Sequence, residues 1–365
     1  LIPVTLRKNL ARAIREGHPW IFRDALDPAT IPDGARVEVR TRNGRAVAVG
    51  FWDARSPIAV RVLEPGTLPD GFLRERLRAA LDRRTARLDP ARTNAFRWVH
   101  GEADRLPGIH VDLYDDVAVV RFDGAGARAF YHGLPLAELR TVRAVVDREG
   151  GRAPDLVVRE NGLLFEVSPG RGGKGGLFLD QRENREEVER RAAGRSVLNL
   201  FGYTGGFSLY AARGGAASTD TVDSARPALD AARRNFERNG LSGARFHASD
   251  AFEFLERARG RRWDLVISDP PSFAPSQAAR GKARTAYTRL HRLAASVVAP
   301  GGTLCAASCS SHLRRDEFLS TVETGVRAAG RRFALEAVRG AGFDHPSLAA
   351  FPEGDYLKFA IGTVR

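Results

Sequence analysis

The chain has 365 residues, with 57 Lys and Arg against 44 Asp and Glu, a net charge of +13. That length exceeds one typical domain and leaves ample material for two or three buried cores. Two cysteines, Cys305 and Cys309, exclude a disulfide scaffold and a Cys-rich zinc site, and no apolar stretch is long enough to span a bilayer. The basic excess favours a polyanionic partner. Lysine occurs only at 8, 174, 282 and 358, so the positive charge is almost entirely arginine, a skew that GC-rich coding also produces. The first residues lead into charge without a signal-peptide apolar region, and a cytoplasmic location is expected.

Residues 1–66 read as a small β-rich module, with strands near 37–39, 46–51 and 58–63 separated by Pro32-Asp33-Gly34 and Asn43-Gly44. Before them runs a basic segment, Leu6 to Phe22, interleaved with apolar residues. Trp20 and Phe22 are expected in the core, and Arg7, Arg12 and Arg15 as contacts to nucleic-acid phosphates, which carry much of such affinity. Residues 67–168 read as a second, α+β unit: a helix over 68–87, strands at 96–102, 109–113 and 117–122, a turn at Asp115-Asp116, a helix over 130–139 and a strand at 142–146. His100 and His110 lack partners at ligand spacing and are expected to be structural, with no metal.

Residues 169–365 alternate strands and helices. Gly172 to Gly176 read as a connection, and Asp180 as the N-cap of a helix over 185–193. Strands follow at 196–201, 219–223, 244–249, 263–268 and 302–309, with helices from 207 and over 224–239, 251–259 and 287–298. Two last strands are expected near 332–338 and 356–364. This is the pattern of a doubly wound parallel sheet, whose ligands sit beyond the carboxyl ends of its strands. Strand 196–201 breaks into Gly202-Tyr203-Thr204-Gly205-Gly206, where glycines let the backbone approach a ligand, and Asp223 follows at the interval where a carboxylate accepts ribose hydroxyls. There is no Gly-x-x-x-x-Gly-Lys-Ser/Thr cradle, and the spacing departs from Gly-x-Gly-x-x-Gly, so a phosphate ligand is disfavoured. The features together indicate a nucleoside-binding α/β domain.

Downstream stand Ser268-Asp269-Pro270-Pro271-Ser272-Phe273 and Ser308-Cys309-Ser310. With His18-Pro19-Trp20-Ile21-Phe22, Gly101 to Ile109, Leu179-Asp180-Gln181-Arg182, Phe343-Asp344-His345-Pro346 and Phe351 to Lys358, they run nearly the length of the chain. On these residues the chain resembles the class I S-adenosylmethionine-dependent RNA methyltransferases, and more narrowly the RlmI-like large-subunit rRNA cytosine-5 methyltransferases. The resemblance implies a Rossmann-like class I methyltransferase domain over 169–365, preceded by a PUA-like RNA-binding module over 1–66 and a small α+β domain over 67–168. It implies S-adenosyl-L-methionine as cofactor and RNA, specifically 23S rRNA, as partner. The cofactor would be held by Phe201, Gly202, Thr204, Gly205, Gly206, Asp223, Ser224, Asp250, Ala251 and Asp269, with Asp250 accepting from the adenine amino group. Asp223 and Asp250 also read as helix caps. Arg182 joins Arg7, Arg12 and Arg15 as an RNA contact. After Asp147 the chain lacks a stretch of roughly 15 to 20 residues present in better-known relatives, where ordinary connections are shorter.

The chemistry assigned by this resemblance is methylation of cytosine carbon 5. That carbon is a poor nucleophile until a thiolate adds to carbon 6, and Cys309 is expected to supply it. Asp269 would hydrogen-bond N3 during the attack, provided it is protonated when needed. Cys305 reads as a buried strand residue. Where many relatives carry a second cysteine, this chain has Ser272 and Phe273, so the base removing the carbon 5 proton is unassigned. Two alternatives stand beside this reading: an RNA nitrogen methyltransferase using the Asp-Pro-Pro turn, weakened by Ser272 in place of an aromatic, and a non-catalytic RNA-binding or ribosome-assembly protein, whose eroded cofactor turn is not seen.

Overall fold

The computed structural model describes residues 1–151, 153–169, 176–274 and 276–365, so Gly172 to Gly175 of the expected connection lie outside the described residues. The chain forms two units: Leu1–Val158 with Val167–Gly176 and Phe343–Gly354, and Arg159–Glu166 with Leu177–Gly342 and Asp355–Arg365. No described helix is long and apolar enough to cross a membrane.

The first unit opens with β1 (Ile2–Thr5), α1 (Ala11–Arg15), β2 (Trp20–Phe22), β3 (Arg36–Arg40), β4 (Ala46–Trp52) and β5 (Ile58–Pro65). They make a five-stranded sheet of order β1-β3-β4-β5-β2 around Val4, Ile14, Ile21, Val37, Val39, Trp52 and Val60. Strands β1 and β2 were not expected, because four and three residues are too few to show an alternation. Phe22 is 44% exposed, not core. Ile21 takes the inward position on β2, and the next residue of a strand faces the other way.

The same unit continues with α2 (Phe72–Thr85), β6 (Ala95–His100), β7 (Ile109–Tyr114), β8 (Val117–Phe122), α3 (Ala125–Phe130), α4 (Leu136–Leu139) and β9 (Ala144–Asp147). Its four strands lie in the order β6-β7-β8-β9. The single helix expected over 130–139 is two short ones, because Gly133 turns at φ +75° and Pro135 follows. His100 and His110 lie ring to ring with centroids 5.4 Å apart, and Arg97 Nη1 donates to the Nδ1 of each at 2.8 and 3.2 Å. Burial, with His345 and Arg97 alongside, pushes His100 well below the usual imidazole range, so it stays neutral. No group of three His, Cys, Asp or Glu among the described residues is placed to hold a metal.

A hairpin, β10 (Leu156–Glu160) and β11 (Leu163–Val167), carries the tip Arg159–Glu166 that belongs to the second unit. Asn161 and Gly162 take φ +50° and +85° at that tip, the turn an Asn-Gly pair favours. Then come α5 (Arg182–Arg191), β12 (Ser196–Leu200), α6 (Gly206–Arg213), β13 (Ser218–Asp223), α7 (Arg226–Arg238), β14 (Ala244–Ala248), α8 (Ala251–Arg257), β15 (Trp263–Ser268), α9 (Arg280–Val297), β16 (Val298–Ser308), α10 (Arg315–Ala328), β17 (Phe333–Arg339) and β18 (Lys358–Val364).

The seven strands lie in the order β14-β13-β12-β15-β16-β18-β17. The first five are parallel, but β18 pairs antiparallel with both β16 and β17. The five strands expected from the alternation thus form the parallel part of the doubly wound sheet, and the two last expected strands, β17 and β18, extend it in antiparallel pairing. Helix α10 was not expected; Phe318, Val322 and Val326 supply its apolar stripe, and Glu317 accepts the Arg314 N–H at 3.2 Å. Apolar layers cover both faces, one including Leu198, Val266, Leu290 and Leu304, the other Val197, Leu265, Ile267 and Phe359. Helix α5 starts three residues earlier than expected, and Asp180 is not its N-cap. It lies in the turn Leu179–Gln181, where its carboxylate accepts the Tyr356 hydroxyl at 2.7 Å.

Candidate active site

The predicted site residues of the second unit collect where β12, β13, β14, β15 and β16 end, the edge at which open α/β sheets bind ligands. After β12 the chain turns through Phe201 at φ +58°, Tyr203 at +49° and Gly205 at +82°. Left-handed backbone costs a non-glycine residue roughly 1–2 kcal/mol, so two such residues in three need a surrounding structure that enforces them. The Tyr203 N–H donates to Asp223 Oδ2 at 2.9 Å, the Gly202 N–H to Val222 O at 2.9 Å, and Asn235 Nδ2 to Thr204 O at 3.1 Å. A Cβ on Gly202 would sit 2.4 Å from Thr221 Cγ2, so only glycine passes here.

Asp223 accepts the Ala225 N–H on its other oxygen at 2.8 Å, and each carboxylate oxygen keeps a free lone pair. Ser224 is exposed beside it, in the corner before α7 rather than in the helix. At the end of β14, Asp250 is the N-cap of α8: its Oδ1 accepts from Phe252 N at 2.8 Å and Glu253 N at 3.2 Å. Its Oδ2 carries neither of these bonds, and Ala251 is buried behind it.

Two buried polar atoms next to this turn, Asn199 Oδ1 and Ser268 Oγ, have no hydrogen-bond partner among the described residues. Such atoms are rare in folded chains and call for a partner. The turn from Phe201 to Gly206 contains no Lys or Arg, while Asp223, Asp250 and Asp269 end the neighbouring strands. A close-approach turn among carboxylates fits a cationic nucleoside and disfavours a phosphate.

Asp269 follows β15, partly buried, with Gln181 Nε2 donating to its Oδ2 at 3.1 Å. Burial and the neighbouring Asp180 push its carboxyl up to about 7. Cys309 lies one residue past the end of β16, half-buried, whereas Cys305 is fully buried within the strand. Burial, then Asp269 and Asp180, push the Cys309 thiol up to about 11, against the opposing pull of Lys358. Burial alone leads in pushing Cys305 to about 12.

The corner Ser308-Cys309-Ser310 is pinned on both sides. Ser308 Oγ donates to the Tyr287 hydroxyl of α9 at 2.9 Å, and Ser310 Oγ to Ala274 O at 3.0 Å. Lys358, opposite Ser308 in the β16/β18 pairing, donates to the Ser310 carbonyl and, at 2.8 Å, to that of Tyr356. This lysine is only 1% exposed, and burial pulls it down to about 8. Sequence reading missed Lys358, Tyr287 and Gln181 as site residues. The signal available for Lys358 was its rarity, since three other lysines stand in a chain of arginines.

Arg182 is corrected as an RNA contact. It is 2% exposed, its guanidinium 3.4 Å from Glu183, and presents no surface to a phosphate. Arg7, Arg12 and Arg15 belong to the first unit and are exposed. Arg12 shares its charge with Glu16 at 2.7 Å, and Arg15 Nε donates to Ala11 O at 3.1 Å.

Comparison with known proteins adds the family. Residues 146–342 match the S-adenosylmethionine-dependent methyltransferases, and residues 4–65 a PUA-like domain. A ribosomal RNA large subunit methyltransferase of Deinococcus radiodurans is 39% identical, covering 97% of this chain and 96% of its own. The ribosomal RNA large subunit methyltransferase I of Aeromonas salmonicida is 34% identical, covering 99% of each. Among solved structures, a Streptococcus mutans protein assigned as a SAM-dependent methyltransferase superposes with a TM-score of 0.87 over 100% of both chains at 22% identity. A methyltransferase complexed with SAH superposes with a TM-score of 0.88 over 99% of this chain and 100% of its own, also at 22% identity. The fold is therefore a PUA-like module with a Rossmann-like methyltransferase domain, and the cofactor is S-adenosylmethionine. The chain belongs to the S-adenosylmethionine-dependent methyltransferase family that includes the ribosomal RNA large subunit methyltransferases I.

Proposed function

We propose that this protein methylates carbon 5 of a cytosine in large-subunit ribosomal RNA, in the cytoplasm, with Cys309 as nucleophile. The observation that carries the reading is that Cys309 and Asp269 each lie one residue past the end of the adjacent parallel strands β16 and β15, the carboxyl held near 7 where it both gives and takes a proton at neutral pH. The relatives' names supply the RNA class, and the exposed Arg7, Arg12 and Arg15 are the surface assigned to its phosphates. The division at 1–66, 67–168 and 169–365 is part of the same reading.

S-adenosylmethionine, when bound, supplies an electrophilic methyl group on a sulfonium. Phe201, Gly202, Thr204, Gly205 and Gly206 would line it, Asp223 and Ser224 would take the ribose hydroxyls, and Asp250 with Ala251 would meet the adenine. The Cys309 thiol, held near 11, is protonated at neutral pH, so its proton must leave as sulfur attacks. In this mechanism Asp269 takes that proton and delivers one to N3. The sulfur–C6 bond forms, the C5=C6 pair shifts between C4 and C5, and the N3=C4 pair moves onto N3, which takes the proton, leaving carbon 5 nucleophilic. As the C4=C5 pair takes the methyl group at carbon 5, the N3 pair restores N3=C4 and N3 returns its proton to Asp269; loss of the carbon 5 proton then restores C5=C6 and breaks the sulfur–C6 bond, releasing the thiolate.

RNA treated with methyl-labelled cofactor, digested to nucleosides and analysed by mass spectrometry, is expected to yield 5-methylcytidine. Label on an exocyclic nitrogen would transfer the assignment to the Asp-Pro-Pro turn, and absence of label would leave an RNA-binding protein. Independently, Asp223→Ala should weaken cofactor binding by about 10- to 100-fold in calorimetry, the loss of one or two hydrogen bonds to a charged group. Wild-type affinity in that variant would remove Asp223 from the cofactor site.

A further inference from the structure

A groove of about 570 Å³ runs between α9 and α10 on the second unit. Arg284, Thr288 and Arg292 of α9 line it at i, i+4 and i+8, one face of the helix, with roots about 6 Å apart per step. Arg289 stands beside them, and Ser320 and Thr324 form the α10 wall. No carboxylate lines the groove. Its depth follows from Gly325, where a Cβ would come within 2.7 Å of His291 Cβ and of Thr288 O, so a bare Cα lets the two helices close along the floor. Arg289 is engaged with Glu256 at 2.9 Å, but Arg284 and Arg292 make no ion pair among the described residues.

We infer that this groove holds the phosphate backbone of the RNA on the flank of the base site, an inference that rests on the RNA reading above. Guanidinium forks match phosphate oxygens bidentately, and interleaved hydroxyls add donors without rejecting an anion. A volume of this size, walled by arginine and hydroxyl side chains, suits a chain of phosphates and sugars better than an apolar ligand. The groove is also coupled to the site through a single helix. Tyr287, adjacent to Thr288, turns inward to the Ser308 hydroxyl beside Cys309, while Arg284 and Arg292 point into the groove. One helix thus supports the Cys309 corner on its inner face and lines the groove on its outer face.

The test uses Arg284→Gln with Arg292→Gln, which removes two charges at similar length, and the Lys pair as control. Binding of a labelled single-stranded RNA of about 20 nucleotides is followed by anisotropy over a KCl series. The plot of log affinity against log salt should lose a slope of about 1.4, since each neutralised phosphate contributes roughly 0.7 for single strands. KM for RNA should rise, with cofactor affinity and kcat at saturating RNA within about twofold of wild type, and the Lys pair should keep the slope. An unchanged slope in the double Gln variant, beside a wild type that binds RNA, overturns the groove alone, whereas a wild type that binds no RNA overturns the function reading and the groove together. Equal losses for a polyglutamate peptide of matched charge would reassign the groove to an acidic protein.

Discussion

Cys309→Ala is expected to abolish methyl transfer, by on the order of 10⁴-fold or more, while calorimetry finds cofactor affinity within about twofold of wild type. The size follows from the chemistry: without addition at carbon 6, carbon 5 of cytosine has no electron pair to offer, and no neighbouring group replaces a thiol in that role. Cys305 cannot substitute, because it is enclosed in the sheet with its thiol pushed up to about 12. Cys305→Ala should therefore remain active, with a stability cost of order 1 kcal/mol for one small buried side chain. RNA containing 5-fluorocytosine adds a second readout. Fluorine cannot depart as a proton does, so the adduct persists, and wild type should form a denaturation-resistant complex mapped to Cys309. Full activity in Cys309→Ala would instead point to the amine-methylating chemistry of the Asp-Pro-Pro turn.

Glu160→Ala should destabilise the protein by about 3–5 kcal/mol, the cost of leaving a buried charge without its partner. Glu160 and Arg185 are both buried and make two hydrogen bonds, 2.9 Å from Nε and 2.7 Å from Nη2, and the Tyr210 hydroxyl donates to the same carboxylate at 2.9 Å. Removing the carboxylate leaves the guanidinium, among the described residues, with the Phe178 carbonyl at 2.9 Å as its one further acceptor. The thermal midpoint should fall by roughly 2–4 °C per kcal/mol. Replacing both partners with apolar residues, Glu160→Leu with Arg185→Met, should recover much of the loss, because the desolvation of both charges disappears with them. A change below about 1 kcal/mol in Glu160→Ala would mean that water or another group reaches Arg185.

The Glu160–Arg185 pair leaves no mark in the local sequence, whereas the cofactor turn does. The turn was visible because glycine at 202, 205 and 206 is a local demand of the backbone, and Asp223 followed at a fixed interval. The strand at 263–268 was bounded correctly because an apolar run ends in two prolines. By contrast, Arg182, Asn184 and Arg185 sit in one of the most polar stretches of the chain yet are buried, and composition assigns such residues to the surface. Lys358 escaped notice for the same reason. Sheet order was hidden too: nothing in the local pattern of residues 358–364 tells a central strand from an edge one. The Asn161-Gly162 hairpin was legible from its dipeptide and went unread.

That central position of β18 sets a timetable for biosynthesis. Residues 196–308, which provide β12 to β16, leave the ribosome before Lys358–Val364, so until then β16 presents an open edge with Cys309 at its tip. Only when β18 slides between β16 and β17 does Lys358 reach the carbonyl of Ser310. The Ser308-Cys309-Ser310 corner is therefore completed by a segment made well after β16, and it reaches its described arrangement only together with the finished sheet.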